Sequence, residues 1–125
     1  MLDVDDLKSI NDTHGHPTGD HVLRQSVGRV TSALRPSDLV ARMGGDEFVV
    51  LMPETGVDAA LQVAERLRSR IGDAPIEAAV VTVSIGVAAS RPDGEEELET
   101  TLQRADAALY KAKGAGGNRV IADRR

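Results

Sequence analysis

Two adjacent carboxylates follow a pair of glycines in the middle of this chain. Gly44-Gly45-Asp46-Glu47 separates two apolar, strand-like stretches, residues 39–41 and 48–52, which predicts a tight hairpin turn. Glycine permits positive φ and leaves the backbone bare, so a bulky ligand can approach the turn. On a strand the two acids would point to opposite faces, and one could bind a metal while the other acts differently. The segment suggests a phosphate-and-magnesium site, although a hairpin with two solvated acids fits the isolated motif equally well.

The histidines and the acidic start suggest no other familiar metal site. His14, His16 and His21 have no cysteine or carboxylate pattern of zinc-site spacing around them, which favours ordinary loop and helix-start residues. The acids at the start of the chain do not form a calcium loop, because Leu7 and Lys8 stand where the loop needs an acid or Asn and then Gly. The sequence also contains neither a G-x-x-x-x-G-K-[ST] loop nor a G-x-G-x-x-G opening a strand–helix unit.

The composition is that of an ordinary globular domain. A chain of 125 residues is long enough for one domain with its own core, and with 2% aromatic residues that core must be aliphatic. The net charge of −5 argues against a nucleic-acid-binding surface, which needs a basic stripe. The absence of cysteine excludes disulfides and suits the cytoplasm, and no apolar run reaches membrane-spanning length.

Hydrophobic spacing predicts the helices that would position these residues. A short helical turn at residues 7–11 and a turn-rich stretch at 11–19 precede a long helix over about 19–34, whose buried stripe is Leu23, Val27, Val30 and Leu34. A second helix spans about 57–71 with Gly72 as its C-terminal cap. The third carries a buried stripe and Tyr110 as a packing residue; the stripe is Leu98, Leu102, Ala105, Leu109 and Ala112.

Apolar alternation predicts two further strands. Residues 81–87 alternate valine and isoleucine with Thr82, Ser84 and Gly86, which indicates a strand with one face in the core. Residues 119–122 form a short last strand. The element order, with strands and helices interleaved, predicts an α+β or α/β sandwich with helices over a mostly antiparallel sheet.

Four segments in matching order resemble the GGDEF family, the diguanylate cyclases. Gly44-Gly45-Asp46-Glu47-Phe48 spells the family's name motif. Residues 3–20 are similar to its D-x-D-x-F-K-x-x-N-D-x-x-G-H-x-x-G-D segment, and residues 84–87 and 105–113 to its S-I-G-V strand and A-D-x-A-L-Y-x-A-K helix. Because order and spacing hold from Leu2 to about Val120, the combination is far more specific than any single motif.

The resemblance implies the ferredoxin-related, polymerase-palm-like fold of nucleotide cyclases. We expect residues 1–125 to form a single domain that lacks the family's N-terminal helix and most of its first strand. That strand lies inside the sheet, so its loss would leave unpaired backbone groups in a gap. We favour a fragment of a longer protein; the alternative is a partner segment that fills the gap.

The resemblance also implies the reaction and its residues: two GTP molecules condense into cyclic di-GMP, releasing pyrophosphate, with Mg²⁺ or Mn²⁺ at a homodimer interface. Asp3, Asp46 and the Val4 carbonyl are the implied metal ligands. Glu47 would bind metal or assist deprotonation, and both roles stay open. The implied substrate-binding residues are Lys8, Asn11, Asp20, Gly44, Gly45 and Lys113. Asn11 and Asp20 would read guanine, and the two lysines would neutralise the triphosphate. Judged singly, these residues fit helix caps and solvated faces equally well.

A second implied site concerns regulation. Arg35-Pro36-Ser37-Asp38 must at least end a helix and form a turn. By resemblance, Arg35 and Asp38, with Arg66 from the next helix, match the inhibitory site where the product cyclic di-GMP binds. The planar arginine fork suits phosphates and the guanine edge.

Departures from the family pattern leave an alternative function open. Leu7 stands where Phe is usual. Gly117 stands where a phosphate-binding Arg is common, which would weaken GTP binding roughly ten- to a hundred-fold unless Arg119 substitutes. The alternative is therefore a catalytically weak or inactive module that senses cyclic di-GMP or GTP, and a third possibility is an inactive α/β fragment. A regulatory domain outside this chain is also expected.

Overall fold

Five strands form one sheet, with β1 in its centre. The computed structural model describes residues 1–124, and the sheet order is β2-β3-β1-β4-β5. All neighbours are antiparallel except β4 and β5, which confirms the prediction of a mixed α/β fold with a mostly antiparallel sheet. The elements in chain order are β1 (Leu2–Val4), α1 (Leu7–His14), α2 (His16–Ala33), β2 (Leu39–Gly44), β3 (Glu47–Leu51), α3 (Val57–Gly72), β4 (Val83–Ala88), α4 (Leu98–Gly114) and β5 (Val120–Asp123).

The register of β1 separates an apolar row from a polar row. Leu2 lies opposite Phe48 and Ile85, whereas Asp3 lies opposite Glu47 and Ser84. Residues directly opposite one another on neighbouring strands project to the same face. Leu2 and Val4 are buried, so hydrophobic burial on one face fixes Asp3 in the row on the other.

The two faces of the sheet are covered by different helices. Buried side chains of α2 and α3 form one core with Leu2, Val4 and Phe48. On the opposite face α4 lies so close to β4 that a Cβ at Gly86 would be 2.1 Å from the Ala105 carbonyl oxygen. The core is aliphatic apart from Phe48.

Three helix predictions were wrong in their bounds. α1 extends to His14 and α2 begins at His16, so the stretch predicted as turns is helical except at Gly15, whose φ is +91°. Pro17 fits because the first helical turn needs no amide donor. α3 ends one residue later than predicted, with Gly72 inside the helix and Asp73 as its cap.

The predicted buried stripes were partly wrong. In α2, Val22 and Ser26 are buried, whereas Val27 and Leu34 are only half-buried. In α4, Ala108 joins the buried face, but Leu98 is 57% exposed and Tyr110, predicted to pack, is 81% exposed. The predicted stripe of α3 is confirmed: Ala60, Ala64, Leu67 and Ile71 are all buried.

β4 also differs from its prediction. The strand spans Val83–Ala88, and its first five residues are all buried. The predicted core face is confirmed, and the other face is buried as well, because α4 lies against Gly86 and Ser84 is fully buried. β5 begins one residue later than predicted.

An apolar cavity lies between β3 and β4 beyond the start of β1. β3 runs to Leu51 and β4 to Ala88, whereas β1 begins at Leu2. Residues from both helix layers line the space, among them Ala64, Leu67, Leu98, Leu102 and Ala105. The expectation that a longer first strand belongs here stays a prediction. Within residues 1–124, no helix has the length and apolar character needed to cross a membrane.

Gly86→Ala should destabilise the fold strongly. Its Cβ would lie 2.1 Å from the Ala105 carbonyl oxygen and 2.3 Å from the Leu109 amide nitrogen, so α4 must move away from the sheet. We expect a loss of about 3 kcal/mol in the free energy of unfolding, measured by urea titration.

Gly28→Ala is the matched control. A Cβ at this α2 position would have no neighbour within 4 Å, so alanine should stabilise the helix by about 0.5–1 kcal/mol. Equal unfolding free energies for both variants would contradict the close approach of α4.

Candidate active site

The glycine pair forms the predicted hairpin. β2 pairs with β3 from Leu39 opposite Leu51 to Gly44 opposite Glu47, with a register shift between Arg42 and Gly44. Gly44 and Gly45 have φ of +136° and +55°, and a Cβ at either would meet nothing within 4 Å, so the turn is bare. Arg42 steadies it, because its Nε donates to the Gly45 carbonyl at 2.9 Å and Nη2 donates to the same oxygen.

Asp3, Asp46 and Lys113 meet at the end of β1. The Lys113 Nζ lies 3.2 Å from Asp3 Oδ2. The Val4 amide donates to the Asp46 carbonyl at 3.4 Å, which holds the hairpin against β1. The structure thus brings together the three residues that the sequence placed at metal and triphosphate.

The Asp3 carboxyl combines a buried oxygen atom with a raised pKa. Burial raises its pKa to about 7; Lys113 opposes this, whereas the Asp46 charge and a hydrogen bond shared with Asp46 raise the pKa further. Asp3 Oδ1 is buried and accepts no hydrogen bond from any residue in the described part of the chain. A buried, unpartnered carboxylate oxygen beside a second carboxylate fits a divalent cation with oxygen ligands, such as Mg²⁺.

Glu47 lies in a different environment from Asp46. Asp46 is in the turn, before β3 begins, so the expectation that the two acids alternate along a strand was wrong. Glu47 lies opposite Asp3 and adjoins Asp106 of α4. Burial raises the Glu47 pKa, and the hydrogen bond and charge of Asp106 raise it further. A carboxyl with raised pKa suits proton acceptance, but binding a metal remains open.

Asn11 sits at the contact between α1 and α2. Its Oδ1 is buried and has no hydrogen-bond partner within residues 1–124. A Cβ at Gly19 would lie 1.7 Å from that oxygen, so only glycine admits the amide there. Asp20 follows at once and is exposed. An unpartnered amide oxygen beside a free carboxylate can recognise a base edge that presents N–H donors.

The start of α1 is open to an anion. Asp6 precedes the helix with φ of +54°, and no side chain caps the first turn. Backbone N–H groups after such a left-handed residue point together and favour negative charge. Lys8 is exposed on the same turn. The predicted role of Lys8 at the triphosphate stays a prediction.

Asp5 is a site residue that the sequence reasoning did not assign. Its Oδ1 accepts from the Ser84 hydroxyl at 2.7 Å, and its Oδ2 accepts from the Thr82 hydroxyl and the Asn118 amide, each at 2.8 Å. Lys113 Nζ is 4.0 Å from Oδ1. The signal in the sequence was the polar Thr82 and Ser84 within an apolar strand.

The predicted inhibitory residues lie together on another surface. Arg35 Nη2 bonds Asp38 Oδ1 at 3.0 Å and the Thr55 hydroxyl at 2.9 Å. The hydrogen bond from the Arg35 side chain to Asp38 is the main reason that the Asp38 pKa lies below its ordinary value. Arg66 lines the same pocket as Arg35 and Asp38, beside Ala59. Arg35 is exposed, so its fork has donors that face solvent.

The histidines do not converge on a metal. Within residues 1–124, no three His, Cys, Asp or Glu side chains are arranged to hold an ion by themselves. The Asp3–Asp46 pair therefore supplies two carboxylates at most, which suits Mg²⁺, an ion that usually keeps water and substrate oxygens as its other ligands.

Comparisons with known proteins identify the family. A sequence profile described as "Diguanylate cyclase, GGDEF domain" matches residues 1–119. The response regulator PleD of Caulobacter vibrioides is 44% identical over 127 residues, covering 97% of this chain and 28% of PleD. Diguanylate cyclase DgcP of Pseudomonas aeruginosa is 44% identical over 124 residues, covering 96% of this chain and 18% of DgcP. The chain belongs to the GGDEF domain family.

Solved structures agree with this assignment. The active GGEEF domain of a diguanylate cyclase from Vibrio cholerae superposes with a TM-score of 0.92 at 32% identity, over 99% of this chain and 80% of that one. The GGDEF domain of DgcB from Caulobacter crescentus, in complex with c-di-GMP, gives 0.89 at 34% identity, over 97% and 74%. The chain spans less than a third of the length of the two curated relatives, PleD and DgcP.

Metal binding should weaken below neutral pH. A cation must displace the proton of Asp3, whose pKa is about 7, so protonation competes at lower pH and is absent well above it. Mn²⁺ affinity, followed by electron paramagnetic resonance, should be about tenfold weaker at pH 6 than at pH 8. Asp12→Asn, at an exposed position on α1, is the control and should show the same pH dependence of Mn²⁺ affinity. A wild-type Mn²⁺ affinity that is equal at pH 6 and pH 8 would contradict the prediction.

Proposed function

We propose that this domain is a diguanylate cyclase, which condenses two GTP molecules into cyclic di-GMP and releases pyrophosphate with Mg²⁺ or Mn²⁺. The observation that carries the proposal is the buried Asp3 Oδ1, which has no hydrogen-bond partner among the described residues and lies beside Asp46 and Lys113 at the bare glycine hairpin. The relatives named diguanylate cyclases support it, but they are much longer proteins.

The chain's own residues would do three jobs. Asp3, Asp46 and the Val4 carbonyl would hold the cation, and the bare hairpin would admit the nucleotide's phosphates. When bound, the cation would supply charge stabilisation for the attacked α-phosphate and the leaving pyrophosphate. Glu47, with its raised pKa, is the candidate to accept a proton from the attacking 3′-hydroxyl.

Lys113 would change partners during binding. In the structure its ammonium pairs with Asp3 Oδ2 at 3.2 Å. The triphosphate offers more negative charge than one carboxylate, so Lys113 would move to the phosphates as the cation takes its place at Asp3. Lys8 and the open start of α1 would add positive potential for the same group.

Base recognition and dimerisation complete the proposal. Asn11 and Asp20 would read the guanine edge. Gly19 provides the space that the Asn11 side-chain amide occupies. Each domain would hold one GTP, so two domains must face each other for the two 3′-hydroxyls to attack in turn. The homodimer is therefore part of the catalytic proposal, and the cytoplasm, where GTP is available, is the proposed location.

A second candidate function is a binding module. Gly117 removes the arginine common in the family at that position, and the pocket with Arg35, Asp38 and Arg66 has the charge for a dinucleotide's phosphates. Such a module would bind cyclic di-GMP without making it. The two functions are compatible if the same pocket serves as a product-inhibition site.

Product analysis separates the enzyme from the binding module. Purified protein with GTP and Mg²⁺ should yield cyclic di-GMP on chromatography, and Asp46→Ala should reduce the rate at least a hundred-fold, because the site loses one of its two carboxylates. Asp93→Ala, in an exposed turn, is the control. Undiminished product from the Asp46 variant would remove the catalytic assignment.

Binding of cyclic di-GMP tests the regulatory pocket. Arg35→Ala should weaken affinity, measured by calorimetry, by roughly ten- to a hundred-fold, because a charge-assisted hydrogen bond to phosphate is worth about 1.5–3 kcal/mol. Arg70→Ala, an exposed arginine in the last turn of α3, should bind like the wild type. Equal affinity for both variants would rule out this pocket.

A further inference from the structure

The turn that follows α4 is closed by helix carbonyls and by Asp5. The Ala115, Gly116 and Gly117 amides donate to α4 carbonyls at 3.0–3.2 Å. The next amide, Asn118, donates instead to Asp5 Oδ2 at 2.8 Å. One residue later the Arg119 carbonyl accepts from the Ile85 amide at 3.0 Å and starts the pairing with β4. The bond from the Asn118 amide to Asp5 therefore joins this turn to the residue that directly follows β1.

We propose that Asp5 is the positioning residue of the site: it fixes the turn after α4, and through it Lys113, over the end of β1, and it does not bind the cation. This inference rests on the proposed cyclase function for the role it gives Lys113. Asp3 and Asp5 thus have different roles. Because alternate residues project to the same face, the two aspartates would otherwise both be expected to bind the cation.

The donors around Asp5 support a structural anchor. Both of its oxygens accept short hydrogen bonds from neutral groups, two hydroxyls and one amide, at 2.7–2.8 Å. Asp3 Oδ1, in contrast, is buried with no partner among the described residues. Asp5 Oδ2 already accepts two hydrogen bonds, and Ser84, which donates to Oδ1, belongs to the buried strand β4, so a cation at Asp5 would compete with donors that the fold holds in place.

Gly117 matches this anchor in shape. Its φ is +73°, and a Cβ there would lie 3.2 Å from the Asp5 Cγ and from both carboxylate oxygens. A side chain would press on the carboxylate and strain the turn. The position where the family commonly carries an arginine is therefore used here for a close approach of backbone to Asp5.

Arg119 belongs to the same turn. Its Nε donates to the Gly117 carbonyl at 3.0 Å, so its side chain folds back on the turn that Asp5 holds. In this arrangement the Arg119 side chain caps the turn.

Asp5→Ala and Asp5→Asn test the proposal together. Alanine removes both carboxylate oxygens and with them all three hydrogen bonds. Asparagine keeps one oxygen for Thr82 and Asn118, and its NH₂ can donate to the Ser84 hydroxyl. Asp12→Ala, an exposed acid of α1, is the control.

Three measurements are made on each variant: amide hydrogen exchange by NMR, affinity for a non-hydrolysable GTP analogue, and affinity for Mn²⁺ alone. In Asp5→Ala we expect exchange at Gly117 and Asn118 to accelerate at least tenfold, with protection at Ala105–Leu109 unchanged. Analogue affinity should fall on the order of tenfold because Lys113 loses its position. Mn²⁺ affinity should stay within about threefold, and Asp5→Asn should recover most of the wild-type behaviour.

Two results would overturn the proposal. Unchanged exchange at Asn118 in Asp5→Ala would show that Asp5 does not hold the turn. A loss of Mn²⁺ affinity in Asp5→Asn would make Asp5 a ligand. If the wild type bound no GTP analogue, the cyclase proposal would fail, while the exchange data would still decide the anchoring role. If Asp5→Ala did not fold, the Mn²⁺ and exchange results for Asp5→Asn would decide it.

Discussion

The site depends on three residues of β1 held between two longer strands. Leu2 and Val4 are anchored in the aliphatic core, and their burial forces Asp3 onto the opposite face, in one row with Glu47 and Ser84. A slip of one residue would exchange the apolar and polar rows. The hairpin reaches this row because β3 pairs with β1, so sheet register alone brings Asp46 to Asp3.

Charge balance is the second constraint. The Asp3 and Asp46 carboxylates lie close together, and burial disfavours the charge on Asp3. Lys113 from α4 offsets part of this, and its position depends on how closely α4 lies on β4. Gly86 therefore affects the site from a distance, because it sets the separation between helix and sheet.

The sequence predicted the parts of the structure that follow from periodicity and turn chemistry. The hairpin at Gly44 and Gly45, the buried stripe of α3 and the mostly antiparallel sheet are all observed. The predictions from sequence failed where packing between distant elements determines helix bounds and side-chain burial. Turn-type residues before Gly15 are helical, Tyr110 is exposed, and β4 is covered on both faces. The roles of Asp5 and Gly117 depend on contacts across 113 positions of sequence, which no local pattern reveals.

The central claim is that β1 and the hairpin together form one cation site. Paramagnetic broadening by Mn²⁺ in the amide NMR spectrum of the folded chain tests it most directly, because broadening falls steeply with distance from the ion. We expect broadening centred on Asp3, Val4 and Asp46, with Lys113 affected and the Arg35–Asp38 turn unaffected. Broadening centred on other residues, or broadening of equal extent throughout the chain at the same Mn²⁺ concentration, would contradict a cation site formed by β1 and the hairpin.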